Sequence, residues 1–382
     1  MNSNLMITSP LKVGIIGCGT ISDAYLKGCK TFPGLEVIHL ADIDPARTAA
    51  KALEFGIPRH GTANQLLEDE EVALVINLTI PRVHREVNEA IVRAGKHLYC
   101  EKPFGINRSE AGSVLAEAAK QGVRVGSAPD TFLGQAHQAC RHLIDEGRIG
   151  KPLSAVAFMV CPGHERWHPN PAFYYDIGGG PMFDMGPYYL TALVNLLGPM
   201  RRVSGSTGKG FADRVITSQP LAGTRIEVKT PTHFAGTIDF CRGAIATVIM
   251  SFDVWHSTLP RIEIHGSEGS LLVPDPNCSE GEVLLRRSDD PEWRSMPMLH
   301  PLMASRGAGV ADMAQAIAHE RPHRASGALA LHVIDAMQAF EESSTQEIHR
   351  PLATHCEQPA PLPPGVPVGL QTNVPGGNRT HI

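Results

Sequence analysis

Residues Lys12–Ser22 read KVGIIGCGTIS, and the reading of this stretch decides the fold. Lys12–Ile16 make an apolar run bounded by Pro10 and Gly17, the pattern of a buried strand. The turn GCGTIS follows, then a helical pattern to about Lys30, then EVIHLAD, a second strand ending at Asp42. In that setting the spacing of G-x-G-x-x-G has a physical meaning. Gly17 permits the tight turn. Gly19 lets the backbone approach a pyrophosphate, which then sits where the unpaired N–H groups of a helix N-terminus converge. Ser22 holds the third position, and its small side chain still lets helix and strand pack closely. Thr20 and Ile21 complete the turn and join Gly17 and Gly19 as candidate cofactor contacts. Asp42 falls 20 residues after Ser22, where the pattern places the acid that accepts hydrogen bonds from the adenosine ribose. A carboxylate there repels a 2′-phosphate. NAD is therefore expected, and NADP is the lesser option, kept open by Arg47 in the next helix.

Outward from the turn the alternation continues. VALVINLTI, HLYCEKP and VRVGSA read as strands, while VHREVNEAIVRAGK and NRSEAGSVLAEAAKQG read as helices. Asn107 and Glu110 have the N-cap and N3 spacing, and Gly122 closes that helix. Alternating strands and helices imply a parallel, right-handed sheet whose ligands lie beyond the strands' carboxyl ends. Those ends carry Thr79, Pro81, Glu101, Lys102 and Asp130, with His84 close by.

The chain has 382 residues, 42% of them hydrophobic, enough for two domains with cores of their own. A net charge of −5 gives no hint of a nucleic-acid partner. No stretch approaches the ~18 apolar residues of a membrane span, and the first residues lack the layout of a signal peptide. Eight cysteines without a CxxC pair suggest reduced thiols and a cytoplasmic protein. The short acidic run Glu68–Glu71 reads as a solvated helix end or loop. From Gln358 onward proline and glycine dominate, the mark of a loosely held extension.

YCEKPFGIN (Tyr99–Asn107) and GGGPMFDMGPYY (Gly178–Tyr189), after the Ala-Asp of the second strand, carry a resemblance. In this order the chain resembles the glucose–fructose oxidoreductase and inositol dehydrogenase (Gfo/Idh/MocA) family from about Leu11 to Leu352. The resemblance implies an N-terminal Rossmann domain and a second domain on a large, mainly antiparallel open sheet, α/β plus α+β. The expected division is 1–128 for NAD binding, 129–354 for substrate and oligomerisation, and 355–382 for the Pro/Gly-rich tail. It also implies a sugar, cyclitol or related polyol as substrate, and a homo-oligomer, dimer or tetramer.

By the same resemblance Lys102 is the catalytic lysine beside the nicotinamide, followed by a cis bond to Pro103. Asp184 and Tyr188 are the pair on a helix facing the nicotinamide. Tyr188 stands where many inositol dehydrogenase-like members have His. Oxidising a secondary alcohol removes a hydride and a proton, so a base is needed. Tyrosine is a poor base at its usual pKa near 10, and a nearby ammonium favours phenolate. Lys102 would supply that charge and hydrogen-bond the substrate oxygen, while Asp184 fixes the substrate hydroxyl or the lysine. Pro187 inside this helix leaves two starts open, near Pro181 with a kink or near Pro187, and Tyr189 leaves a one-residue ambiguity of register.

His164–His168 read HERWH, a match to the zinc-hydrolase pattern H-E-x-x-H. That chemistry needs a helix, and Pro162, Gly163, Pro169 and Pro171 argue against one. No metal is expected. The segment reads instead as a loop that brings Trp167 and His168, with Asp130, to the substrate end. Phe173, Tyr174 and Tyr175 read as its packing. RIEVKT, HFAGTIDF, AIATVIMSF, RIEIHGSEGSLLV and EVLLRR read as strands of the second sheet. Two helices follow and should return to the first domain, with Arg306 and Asp312 read first as helix-end ion pairs and second as contacts of the substrate region, and His332 as a core histidine. The expected function is an NAD(P)-dependent oxidoreductase of secondary alcohols and ketones. The alternative is a nicotinamide-binding sensor of the same fold without turnover.

Overall fold

Val13, Ile15 and Ile16 are buried on both faces of their strand, which only a sheet covered on two sides provides. The computed structural model describes residues 9–300, 306–366 and 368. The first half runs β1 (Leu11–Ile16), α1 (Ser22–Lys30), β2 (Leu35–Ala41), α2 (Pro45–Phe55), β3 (Arg59–Gly61), α3 (Ala63–Glu68), β4 (Leu74–Asn77), α4 (His84–Arg93), β5 (His97–Cys100), α5 (Arg108–Gln121) and β6 (Val125–Ser127). These strands form one sheet in the order β3-β2-β1-β4-β5-β6, parallel in every pair. The order reverses between β1 and β4, which opens a crevice at their carboxyl ends. Asn107 accepts from the Glu110 amide at 2.9 Å at the start of α5, and Gly122 ends it at φ 67°. The strand β3 and helix α3 had no clear signal in the pattern.

The second half runs α6 (Gln135–Asp145), β7 (Pro152–Val160), α7 (Gly180–Leu197), β8 (Met200–Gly208), β9 (Asp213–Val215), β10 (Arg225–Glu227), β11 (His233–Phe240), β12 (Ile245–Ser251), β13 (Ile262–Gly266), β14 (Gly269–Val273), β15 (Leu284–Arg287), β16 (Arg294–Ser295), α8 (Ala308–Ala318), α9 (Gly327–Gln346) and β17 (Arg350–Pro351). Nine strands form a sheet in the order β16-β15-β14-β13-β7-β12-β11-β8-β17. Only β7 and β12 run parallel in it. RIEVKT does not join this sheet: its Arg225–Glu227 portion pairs with β9 in a separate two-stranded ribbon. Helices α7 and α9 pack on the sheet, and α8 and α9 reach back to β6 of the first domain. There Ser127 N–H donates to Ala325 O at 3.0 Å, and Arg108 pairs with Asp335 at 2.8 Å and Glu342 at 2.7 Å.

The Glu68–Glu71 run is a solvated helix end, with Glu68, Glu70 and Glu71 exposed where α3 stops; Asp69 turns inward to His39 at 2.8 Å and Arg59 at 3.1 Å. One expectation needs correction. The tail is not loose at its start. Arg141 donates to Pro359 O (2.8 Å), Arg324 to Ala360 O (2.7 Å), and Leu362 N–H to Gln138 Oε1 (2.7 Å). A proline-rich strand has few N–H groups to satisfy but many carbonyls to offer, and two buried guanidinium groups use them. The later tail, with Asn378–Thr380, lies outside the described residues. Among the described residues no helix is long and apolar enough to cross a membrane.

Candidate active site

The glycine turn has the geometry its spacing implies. Gly17 sits at φ 104°, and a Cβ there would lie 2.7 Å from the Leu78 carbonyl. A Cβ at Gly19 would meet nothing within 4 Å, so the space in front of the turn is open to a ligand. Thr20 is exposed and Ile21 half-buried beside it. The Ser22 hydroxyl donates to Gly19 O at 2.6 Å and closes the turn onto α1. Asp42 accepts the Cys18 amide at 2.6 Å and the Asp44 amide at 3.0 Å. A carboxylate has about four acceptor sites, so capacity for ribose hydroxyls is left. Arg47 approaches Asp42 to 3.8 Å, which neutralises part of the charge that distinguishes NAD from NADP. These residues fit a dinucleotide. Thr79 and Pro81 follow β4, where Asn77 Oδ1 accepts the Thr79 amide (3.0 Å) and hydroxyl (2.7 Å). The buried His84 ring spans Thr79 O (2.9 Å) and Pro103 O (2.7 Å), so it braces this segment against the lysine turn.

Glu101 ties the glycine helix to that turn. Its carboxylate accepts the Tyr25 hydroxyl of α1 at 2.9 Å and the Lys102 amide at 2.7 Å. The Lys102–Pro103 bond is cis. The Lys102 ammonium then leaves the first domain and meets α7. It donates to the Asp184 carbonyl (2.7 Å) and carboxylate (3.1 Å) and lies 5.1 Å from the centre of the Tyr188 ring. Helix α7 begins at Gly180 and continues through Pro187. Asp184 and Tyr188 therefore share one face, one turn apart. Pro187 removes the amide that would serve the Phe183 carbonyl, and Lys102 serves the next carbonyl along. Tyr189, fully buried, is not the residue beside Lys102.

Burial alone would favour the neutral amine at Lys102, but Asp184, Tyr188 and Glu101 outweigh it and hold the ammonium above its usual range. Burial would likewise raise the Asp184 carboxyl, but Lys102 and His164 bring it down to about 2. At Tyr188 two influences oppose each other. Burial pushes the phenol up, while Lys102 and Arg306 favour the phenolate as the resemblance implies, and burial is the larger of these.

Two further side chains reach the site: His164, which the pattern did not assign to it, and Arg306, for which the substrate region was the second reading. His164 Nε2 lies 2.9 Å from the second Asp184 oxygen. Arg306 Nη2 donates to the Tyr188 hydroxyl at 3.1 Å, with its guanidinium 5.8 Å from the ring centre. Asp312 is the helix-end partner expected, bound to Arg321 and Arg324. The signal for His164 was present in HERWH but pointed to the wrong chemistry. The segment makes a single turn closed by His168 N–H on His164 O (3.0 Å), not a helix. Glu165 is paired with Arg214 at 2.9 Å and accepts from Tyr175, and His164 is spent on Asp184. Neither His164 nor Glu165 is left to a zinc ion.

Asp130 lies beneath the start of α8. It is 2% exposed, and one of its oxygens accepts the Gly307 (3.1 Å) and Gly309 (2.9 Å) amides and so caps that helix. Trp167 is 62% exposed beside the half-buried His168, which packs against Phe173 and Tyr174.

Residues 11–128 match a family model described as the oxidoreductase family with NAD-binding Rossmann fold, and residues 137–272 match the GFO/IDH/MocA C-terminal domain. The chain is 30% identical over 286 residues to 1,5-anhydro-D-fructose reductase of Ensifer adhaerens, covering 72% of this chain and 80% of the relative. It is 22% identical to myo-inositol 2-dehydrogenase of Thermotoga maritima, covering 72% of this chain and 78% of that one. Among solved structures, levoglucosan dehydrogenase in complex with NADH and L-sorbose superposes with a TM-score of 0.79 at 22% identity, over 91% of this chain and all (100%) of the other.

Proposed function

This chain belongs to the Gfo/Idh/MocA family of NAD-binding oxidoreductases, and on that premise we propose that Lys102 and Tyr188 handle the proton while a secondary alcohol or ketone of a sugar or cyclitol exchanges a hydride. It is a dehydrogenase or reductase of CH–OH groups with NAD as its cofactor. The observation that carries the assignment of roles is the meeting of two domains at one point. An ammonium delivered after β5 lies against the carboxylate and phenol of α7.

Bound NAD supplies the acceptor or donor of the hydride. The chain supplies the rest. In reduction the Lys102 ammonium, the form its carboxylate partner favours, gives its proton to the carbonyl oxygen; oxidation is the reverse transfer and requires that the amine first lose this proton to solvent. Asp184 favours the ammonium and fixes where it points. Tyr188, its hydroxyl oxygen held by Arg306 at 3.1 Å, hydrogen-bonds the same substrate oxygen and shares the proton with Lys102. Gly17, Gly19, Thr20, Ile21 and Asp42 hold the dinucleotide, with Thr79, Pro81, His84 and Glu101 along its nicotinamide half. Trp167 offers a flat apolar face to a sugar ring and His168 a hydrogen bond. The sugar and cyclitol substrates named for the relatives support the substrate class.

The test is steady NADH formation on a panel of sugars and cyclitols with NAD, beside Lys102→Ala. Turnover that Lys102→Ala loses supports the reading. NAD binding without turnover on any member would favour the sensor.

A further inference from the structure

Each oxygen of Asp184 has a single side-chain partner. One faces the Lys102 ammonium at 3.1 Å and the other faces His164 Nε2 at 2.9 Å. The state of that imidazole is set from its far side. Trp167 Nε1 lies 3.2 Å from His164 Nδ1, and an indole N–H can only donate. Nδ1 therefore accepts, and the ring proton sits on Nε2, toward Asp184. The ring cannot easily turn to the other arrangement. Tyr174 and Phe252 pack on it with ring centres 4.3 and 4.5 Å away, and the Trp167 ring lies at 5.2 Å. His164 is buried, while Trp167 is the exposed end of the series.

We propose that His164 is a positioning residue for proton transfer at Lys102: fixed by Trp167 as the Nε2–H tautomer, it donates to Asp184 and keeps that carboxylate turned toward the ammonium. His164 carries no proton itself. Its Nδ1 lone pair is occupied by the indole N–H, and its Nε2 already bears a hydrogen, so a proton leaving Lys102 through Asp184 has no vacant nitrogen to enter. The HERWH segment thus serves as a tautomer lock, with the exposed Trp167 linked to the ammonium through His164 and Asp184. This inference rests on the role given to Lys102 above.

The experiment compares His164→Ala, His164→Gln and Trp167→Phe with the wild type, on NAD and a substrate identified from the panel. His164→Ala should lower kcat roughly ten- to a hundredfold, the effect of losing one hydrogen bond to a charged group, with KM for NAD unchanged. The acid limb of its kcat/KM profile should also move to higher pH, because His164 helps Lys102 hold the Asp184 carboxyl down at about 2. Glutamine can donate an N–H to Asp184 but cannot act as a proton carrier, so His164→Gln should recover most of kcat and return the limb. Trp167→Phe should lose only a few-fold. Wild-type kcat and acid limb in His164→Ala would overturn the proposal. So would a His164→Gln enzyme that binds NADH normally yet is as impaired as the alanine variant, since that would make His164 a proton carrier. If His164→Ala does not fold, His164→Gln decides by the same two readings. Lys102→Ala, run in parallel, separates the failures: full activity there sinks the role of Lys102, whereas its loss beside an unaffected His164→Ala sinks this inference alone.

Discussion

The glycine turn after β1 and the charged cluster around Lys102 both lie at the carboxyl ends of strands of one sheet, yet they are built in opposite ways. The turn is made of backbone. Its working parts are a glycine at φ 104°, a glycine with open space before it, and an acid on the neighbouring strand. Everything it needs falls between Gly17 and Asp42. The cluster is made of side chains from four distant segments: Lys102 after β5, His164 in a loop, Asp184 and Tyr188 on α7, and Arg306 before α8. Glu101 joins the two, since it accepts from Tyr25 of the glycine helix and from the Lys102 amide. A backbone device tolerates wide change in the rest of the chain. A side-chain device in a buried setting depends on every partner, because each charge there is stabilised only by the others.

The comparison can be broken most directly at Lys102. Lys102→Ala should lower kcat about a thousandfold, the scale of a lost general acid–base group, while NADH binding measured by fluorescence changes far less. Loss of NADH binding instead would mean that the two devices are one.

The next effect separates site from scaffold. His332 is fully buried, its Nε2 accepts the Met200 amide at 3.0 Å, and burial lowers it from 6.5 to about 4. The unfolded chain therefore binds the proton more readily than the folded one. Stability is full above pH 6.5 and falls as the pH drops toward about 4, by about 3 kcal/mol. Asp184 behaves differently. Its folded value is depressed to about 2 from 3.8, so its contribution is intact above 3.8 and fades only below. As pH falls, the scaffold weakens before the site does. Thermal melts from pH 7 to 4 should show the decline, and His332→Gln, which keeps an acceptor for Met200, should flatten it.

A smaller effect tests the turn. Gly17→Ala places a Cβ 2.7 Å from a carbonyl at a strained φ and should cost about 2 kcal/mol of stability, read as a lower Tm, with NADH affinity reduced alongside. The smallest is Asp42→Ser, which should weaken NAD about tenfold by kcat/KM and improve NADP relative to it, since Arg47 lies within reach of a 2′-phosphate once the carboxylate is gone.

The parallel sheet, the turn and the positions of Lys102, Asp184 and Tyr188 were legible in the sequence. Strand patterns and glycine spacing are local, and the Glu-Lys-Pro and Gly-Gly-Gly-Pro segments carried a family resemblance. His164 was visible but misleading, because HERWH encodes a spacing and not the backbone that would use it. Arg306 read first as a helix-end pair and only second as a contact of the substrate region, because nothing near it in the chain announces Tyr188, 118 residues away. Asp130 read as a ligand from its place after β6, yet α8 returns to take it as a cap. RIEVKT looked like a strand of the large sheet and is one of a side ribbon, since alternation specifies a strand but not its partner.

By itself, then, the sequence determined what depends on neighbours in the chain: the nucleotide turn, the sheet that carries it, and an i, i+4 pair on one helix. The tertiary structure alone decided which charges meet, what lies on each side of the His164 ring, and that the Tyr188 phenol is buried between Lys102 and Arg306. Those properties arise from burial and from contacts between distant segments, where the electrostatic surroundings of a group are set by what the fold brings beside it and not by its position along the chain.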